Sequence, residues 1–104
     1  MAFIANKFYP ISDIYFRHNK EIDLRPGYDI VEKDEQPIIG IHVFNWSSES
    51  WMTIENSNGQ IIRFPSTALV EGAVYYIGVN KLISVGPNKE DTQIMAISTK
   101  LPSI

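Results

Sequence analysis

Trp51-Met52-Thr53-Ile54-Glu55 and Gln60-Ile61-Ile62-Arg63-Phe64 flank the tetrapeptide Asn56-Ser57-Asn58-Gly59. Two short apolar-rich runs around an Asn-Gly pair predict a β-hairpin, because these residues tolerate the positive φ angles of a tight turn. Pro65 ends the second strand, since proline has no N–H to donate to a ladder. Upstream, residues 38–44 place Ile39, Ile41 and Val43 on one face and Ile38, Gly40, His42 and Phe44 on the other. Both faces are largely apolar, as in a strand with a core on one side and a partner on the other. Asn45-Trp46-Ser47-Ser48-Glu49-Ser50 is a polar link between the two regions.

Downstream, residues 66–72 read as a connection with room for one helical turn. From Ala73 to Val85 the odd positions are Ala, Tyr, Ile, Val, Lys, Ile and Val, which predicts one long strand. Gly78 inside it signals a bulge or a close backbone approach. Residues 86–91 form a turn, residues 92–98 a closing strand, and residues 99–104 a tail. The N-terminal third is less regular. Residues 11–17 read as a strand with Ile14 and Phe16 on one face, Arg25-Pro26-Gly27-Tyr28 as a turn with residues 28–31 extending beyond it, and residues 32–37 as a charged loop. The apolar segment from Phe3 to Phe16 is either a strand docked on the core or an arm for a neighbouring subunit; residues 1–20 are the candidate arm.

Composition agrees with an all-β chain. Among 104 residues there are sixteen Ile but four Leu, with five Tyr, five Phe and two Trp. Branched and aromatic side chains suit a pleated, half-buried surface, whereas a helical bundle favours Leu and Ala. The length fits one domain, residues 1–104, with residues 38–98 as its clearest β core. The fold class expected is a small antiparallel β-sandwich or jelly-roll-like barrel with an extended N-terminal arm. No apolar run reaches the roughly 20 residues that span a bilayer, and the first ten residues lack the pattern of a secretory signal. Nine Lys+Arg against twelve Asp+Glu give a net charge of −3, which argues against a nucleic-acid partner.

The residues that carry chemistry are sparse. There is no cysteine, hence no disulfide, thiolate metal site or thiol nucleophile. There is no G-x-S-x-G, H-E-x-x-H or phosphate-cradling glycine loop. His18 reads as a solvated loop residue and His42 as a hydrogen-bonded structural histidine. Asp29, Glu32, Asp34 and Glu35 lack the spacing and turn glycine of a calcium loop and read as a solvated acidic surface. No enzyme activity, cofactor or metal is therefore expected. Among the aromatics, Trp51 opens a strand and packs, whereas Trp46 sits in the polar link as a surface candidate, with the sugar-stacking or interface roles that exposed aromatics support.

The order Ile41-His42-Val43-Phe44, a strand ending at Asn58-Gly59, Ile61-Ile62-Arg63-Phe64-Pro65, a connector with Gly72, Tyr76-Ile77-Gly78-Val79, Leu82-Ile83, Gly86 and Ile94-Met95-Ala96-Ile97 resembles the small spike-base and head-decoration proteins of tailed bacteriophages and gene transfer agents. The resemblance spans residues 38–98. It departs from the family where Ser84-Val85-Gly86-Pro87-Asn88 replaces a Thr-Gly-Thr-Thr turn, and where Tyr76 stands in place of a proline.

The resemblance implies a structural virion protein on the capsid surface, decorating the head or forming the base of a head fibre or spike. Its implied partners are the major capsid protein and copies of itself, a trimer above all, with another head-surface protein or a host-surface glycan as further candidates; no nucleic acid or membrane partner is implied. A carbohydrate-binding β-sandwich module and a tail-associated structural protein are the alternatives. Phe3, Phe8, Tyr9, Trp46 and Tyr76 are the residues expected at the interaction surface.

Overall fold

The computed structural model describes the backbone of residues 5–100 and the side chains of residues 6–99. The chain forms strand β1 (Ala5–Tyr9), helix α1 (Ile11–His18), then β2 (Ile22–Asp23), β3 (Gly40–Trp46), β4 (Trp51–Asn56) and β5 (Ile61–Phe64). A single helical turn at Ser66–Ala68 leads to β6 (Val74–Tyr75), β7 (Val79–Gly86) and β8 (Thr92–Lys100). All strand pairs are antiparallel, in two four-stranded sheets of order β1-β8-β3-β6 and β2-β7-β4-β5. The molecule is an all-β sandwich, and the barrel alternative is not realised because the sheets do not close on each other.

The core lies between the sheets. Ile41, Val43, Ile94 and Ala96 reach it from the first sheet, and Met52, Ile54, Leu82 and Val85 from the second. At one end a hydroxyl cluster joins the layers: the Ser50 hydroxyl lies 2.7 Å from that of Thr92, which donates to the Gly86 carbonyl at 2.9 Å. Buried hydroxyls are tolerated there because each has a partner.

The β4–β5 hairpin forms as expected, with Glu55 opposite Ile61. Its turn closes through the Gly59 N–H to the Asn56 carbonyl, and only Gly59, at φ 80°, takes the left-handed conformation. This is a type I turn followed by a glycine bulge, the usual three-residue hairpin loop.

Five expectations change. Residues 11–17 form a helix, not a strand. Pro10 cannot continue the ladder that β1 makes with β8. Ile11, Ile14 and Tyr15 then recur at helical spacing toward the core. The helix ends at Asn19, in the left-handed conformation, whose N–H bonds the Tyr15 carbonyl. Residues 28–31 form the end of a turn and a run of bends, held by the Gly27 N–H on the Val31 carbonyl.

The long strand expected from Ala73 to Val85 is divided between the sheets. β6 pairs with β3, β7 pairs with β4, and a turn centred on Tyr76, closed by the Ile77 N–H on the Tyr75 carbonyl, carries the chain across. Gly78 is the expected close approach, since a Cβ there would meet the Ser57 hydroxyl at 2.8 Å. The alternation of residues 38–44 also slips at its start. Ile38 is buried and bridged to Val79 of the second sheet, so Ile39 is the exposed member of the pair. Finally, β8 runs on to Lys100, taking in two residues expected in the tail.

Candidate interaction surface

The register separates the two faces of each sheet. In the first sheet, Tyr9, Ala96 and Ile41 lie side by side and are buried, so this row faces the core. Side chains alternate along strands, and the neighbouring rows therefore face outward. One is Phe8–Ile97–Gly40 and the next is Met95–His42–Val74. Asn6, Gln93, Thr99 and Phe44 share that face by alternation. None of these outward positions is Asp, Glu, Lys or Arg.

The second sheet differs. Ile22, Leu82, Ile54 and Ile62 form its inward row, and Asp23, Lys81, Glu55 and Ile61 the outward one. Opposite charges face each other across adjacent strands, with Arg63 one position further on, the pattern of a sheet face in contact with water. Arg25 adds a fork on Asp23, with Nη2 at 2.6 Å from Oδ2 and Nε at 3.0 Å from Oδ1. These bonds hold the Asp23 carboxyl below the usual carboxylate range. The Arg25 guanidinium also lies 4.0 Å from the centre of the exposed Tyr28 ring.

The uncharged face carries exposed apolar area. Phe8 is 47% and Phe44 45% exposed, and the His42 ring stacks on Phe44 with centres 4.1 Å apart. His42 thus sits on an outer face, and among the described residues the contact that holds its ring is this stacking, not the hydrogen bond expected. Beside Phe44, a depression of about 200 Å³ runs between Pro10 and Asp13 of the helix entrance and Gln93 and Met95 of β8. Among the described residues no group of three or more metal-ligating side chains comes together, and no helix is long and apolar enough to cross a membrane. Comparisons with protein-family models, curated proteins and solved structures found no match.

The residues expected at the interaction surface divide. Phe8 lies on the uncharged face, and Tyr76, at 81%, is the most exposed large apolar side chain among the described residues. It owes that exposure to its place at the centre of the inter-sheet turn. Tyr9 is turned inward by the strand's alternation and is 8% exposed. Trp46 belongs to the end of β3 rather than to a polar link; it packs on the core, and its indole N–H donates to the Ser66 carbonyl at 2.8 Å. Phe3 falls outside the described residues.

One group escapes a sequence reading. Glu35, expected in a solvated acidic loop, has a fully buried side chain. Lys7 Nζ lies 2.7 Å from its Oε1, and the Tyr9 hydroxyl donates to Oε2. The Glu35 carboxylate raises the Lys7 ammonium well above its ordinary value, and burial, together with the same carboxylate, raises the Tyr9 phenol. Nothing in residues 32–37 distinguishes Glu35 from Glu32 and Asp34, which are exposed. The difference arises because the Gln36 N–H bonds the Thr99 carbonyl and Ser98 Oγ bonds the Gln36 carbonyl, which draws the loop under the end of β8.

Proposed function

We propose that this chain is a structural virion protein of a tailed bacteriophage, a docking module that decorates the capsid exterior or forms the base of a head fibre or spike. It works by adhesion: the outer face of the first sheet seats against the major capsid protein or a neighbouring copy, in a trimer.

The observation that carries this reading is the contrast between the two outer faces. A charge-free, partly apolar sheet face is costly to leave in water and suits burial in an assembly. The face of the second sheet, with Asp23, Lys81, Glu55 and Arg63, suits solvent. The strand order that resembles head-decoration proteins supplies the setting. Repetition on a lattice allows each contact to be weak, since copies act together.

A reconstruction of particles that carry this chain tests the reading. The expected density is a two-sheet domain with Phe8, Phe44 and Val74 against the shell or a sister copy. Absence of the chain from purified particles, or density with that face open to solvent, overturns it. The carbohydrate-binding alternative loses Trp46 as an open platform, because that ring is packed and its N–H engaged.

A further inference from the structure

We infer that β1 is an exchangeable strand, and that a second copy of this chain is the partner that receives it. The inference stands on how β1 is attached and not on the docking reading above.

Strand β1 is loosely owned by its own chain. Of its described side chains, Tyr9 alone enters the core, while Phe8 points outward and Asn6 is exposed. Its remaining attachments are the backbone ladder to β8, residues 5–9 against 96–100, and the contacts of Lys7 and Tyr9 with Glu35. All of these are made by the C-terminal strand and by a loop pinned to it. A second copy offers the same groups in the same register, so exchange preserves every contact.

The chain beyond β1 is anchored separately. Pro10 interrupts the ladder, and the Ser12 hydroxyl takes over the next place on the edge of β8, accepting from the Ile94 N–H at 2.8 Å and donating to the Ile94 carbonyl at 3.3 Å. Ile11, fully buried, fixes the same point. The helix therefore stays in place when β1 departs, and the movement is confined to one residue, Pro10. A one-residue hinge between two independently anchored elements favours exchange, because the chain has little slack with which to fold back. Reciprocal exchange gives a dimer, and cyclic exchange gives a closed trimer; in both, Phe8 arrives on the uncharged face from a neighbouring copy.

A disulfide across β1 and β8 reports which copy each strand belongs to. The Thr99 carbonyl accepts from Gln36 and the Ile97 carbonyl from Ile39, so these residues turn their hydrogen bonds away from β1. Asn6 opposite Thr99 is thus a non-hydrogen-bonded pair, with Cα atoms about 4.5 Å apart, within reach of a disulfide. The chain has no cysteine of its own, so Asn6→Cys with Thr99→Cys gives one defined link.

The reduced variant is concentrated, separated by size, and each fraction oxidised and run under denaturing, non-reducing conditions. The expected result is covalent oligomers from the oligomer fraction, intrachain links from the monomer fraction, and at least a tenfold loss of association when the monomer is oxidised first. Oligomers containing only intrachain links, or no oligomer at any concentration, overturn the inference. Locked monomer that still associates, and stops doing so with Phe44→Glu, overturns exchange while leaving the docking face intact.

Hydrogen exchange on the unmodified chain is the second measurement. Amides of β1 should open well before global unfolding while the Ile94 amide stays protected; equal protection of both overturns the inference.

Discussion

The hydroxyl of Ser12 holds both backbone groups of Ile94, one as acceptor and one as donor, at a buried point where β1 has already ended. One side chain here does the work of a strand residue. Ser12→Ala leaves the Ile94 N–H and carbonyl without that partner at a buried point of the sheet edge. Removing one partner of a buried polar group costs about 1–3 kcal/mol. Urea unfolding should show a lower midpoint with an unchanged slope; an unchanged midpoint would mean that the backbone of Ile94 finds another partner.

Gly86 faces Trp51 across β7 and β4, and a Cβ at that position would lie 2.6 Å from the indole ring. The ring must then shift, and with it the Arg63 guanidinium that stacks on it at 4.8 Å. Gly86→Ala should therefore cost about 1–3 kcal/mol by overpacking. Gly59 offers the contrast: nothing lies within 4 Å of its Cβ position, but its φ is 80°. Gly59→Ala costs about 1–2 kcal/mol through backbone strain alone. Thermal melts followed by tryptophan emission separate the two, since only the Gly86 substitution should also change the native spectrum of Trp51.

Elements set by local chemistry were legible in the sequence. The Asn58-Gly59 turn and the stop at Pro65 depend on residues within a few positions of each other, and the excess of Ile over Leu on composition alone; Gly78 signals a close approach by its own lack of a side chain, although the residue it meets, Ser57, is far along the chain. The helix at Ile11–His18 is not distinguished by its sequence, although Ile11, Ile14 and Tyr15 carry its spacing and Asp13 and Arg17 its end charges. Ile14 and Phe16 also fit a strand, and over eight residues the two periods compete. Tertiary features were out of reach for a different reason. The burial of Glu35 depends on β8, more than sixty positions away in the chain. The division of the strand at Tyr76 depends on which sheet each half meets. The charge-free face appears only when the register places Phe8, Met95, His42 and Val74 together.

The Lys7–Glu35–Tyr9 cluster makes the fold sensitive to alkali. The Lys7 ammonium is raised above its ordinary value of 10.5, so its contribution is complete below that pH and is lost as pH climbs toward the folded-state value. The Tyr9 phenol is raised above 10.0, so above that pH the unfolded chain releases its proton first and the folded state loses ground. Both effects run the same way. The urea midpoint should fall as pH rises above about 10, and more steeply than in a Lys7→Met, Tyr9→Phe double variant. Parallel profiles for the two proteins would show that the cluster is not linked to folding.

Two positions on β3 give the sharpest test of the docking face. Ile41 points inward and is fully buried, whereas Phe44 points outward and is nearly half exposed. A carboxylate at Ile41 would be buried without a partner, and Ile41→Glu should prevent folding. Phe44→Glu puts the same charge where water reaches it, so stability should change by less than about 1 kcal/mol. Its effect should fall on association, because a desolvated charge on an otherwise uncharged face opposes burial by any partner. Ile61→Glu is the matched control: Ile61 is 61% exposed but lies on the charged face, beside Glu55. Light scattering and capsid co-sedimentation should find association lost in Phe44→Glu and retained in Ile61→Glu, with equal melting temperatures. Loss in the Ile61 variant alone would move the docking surface to the second sheet.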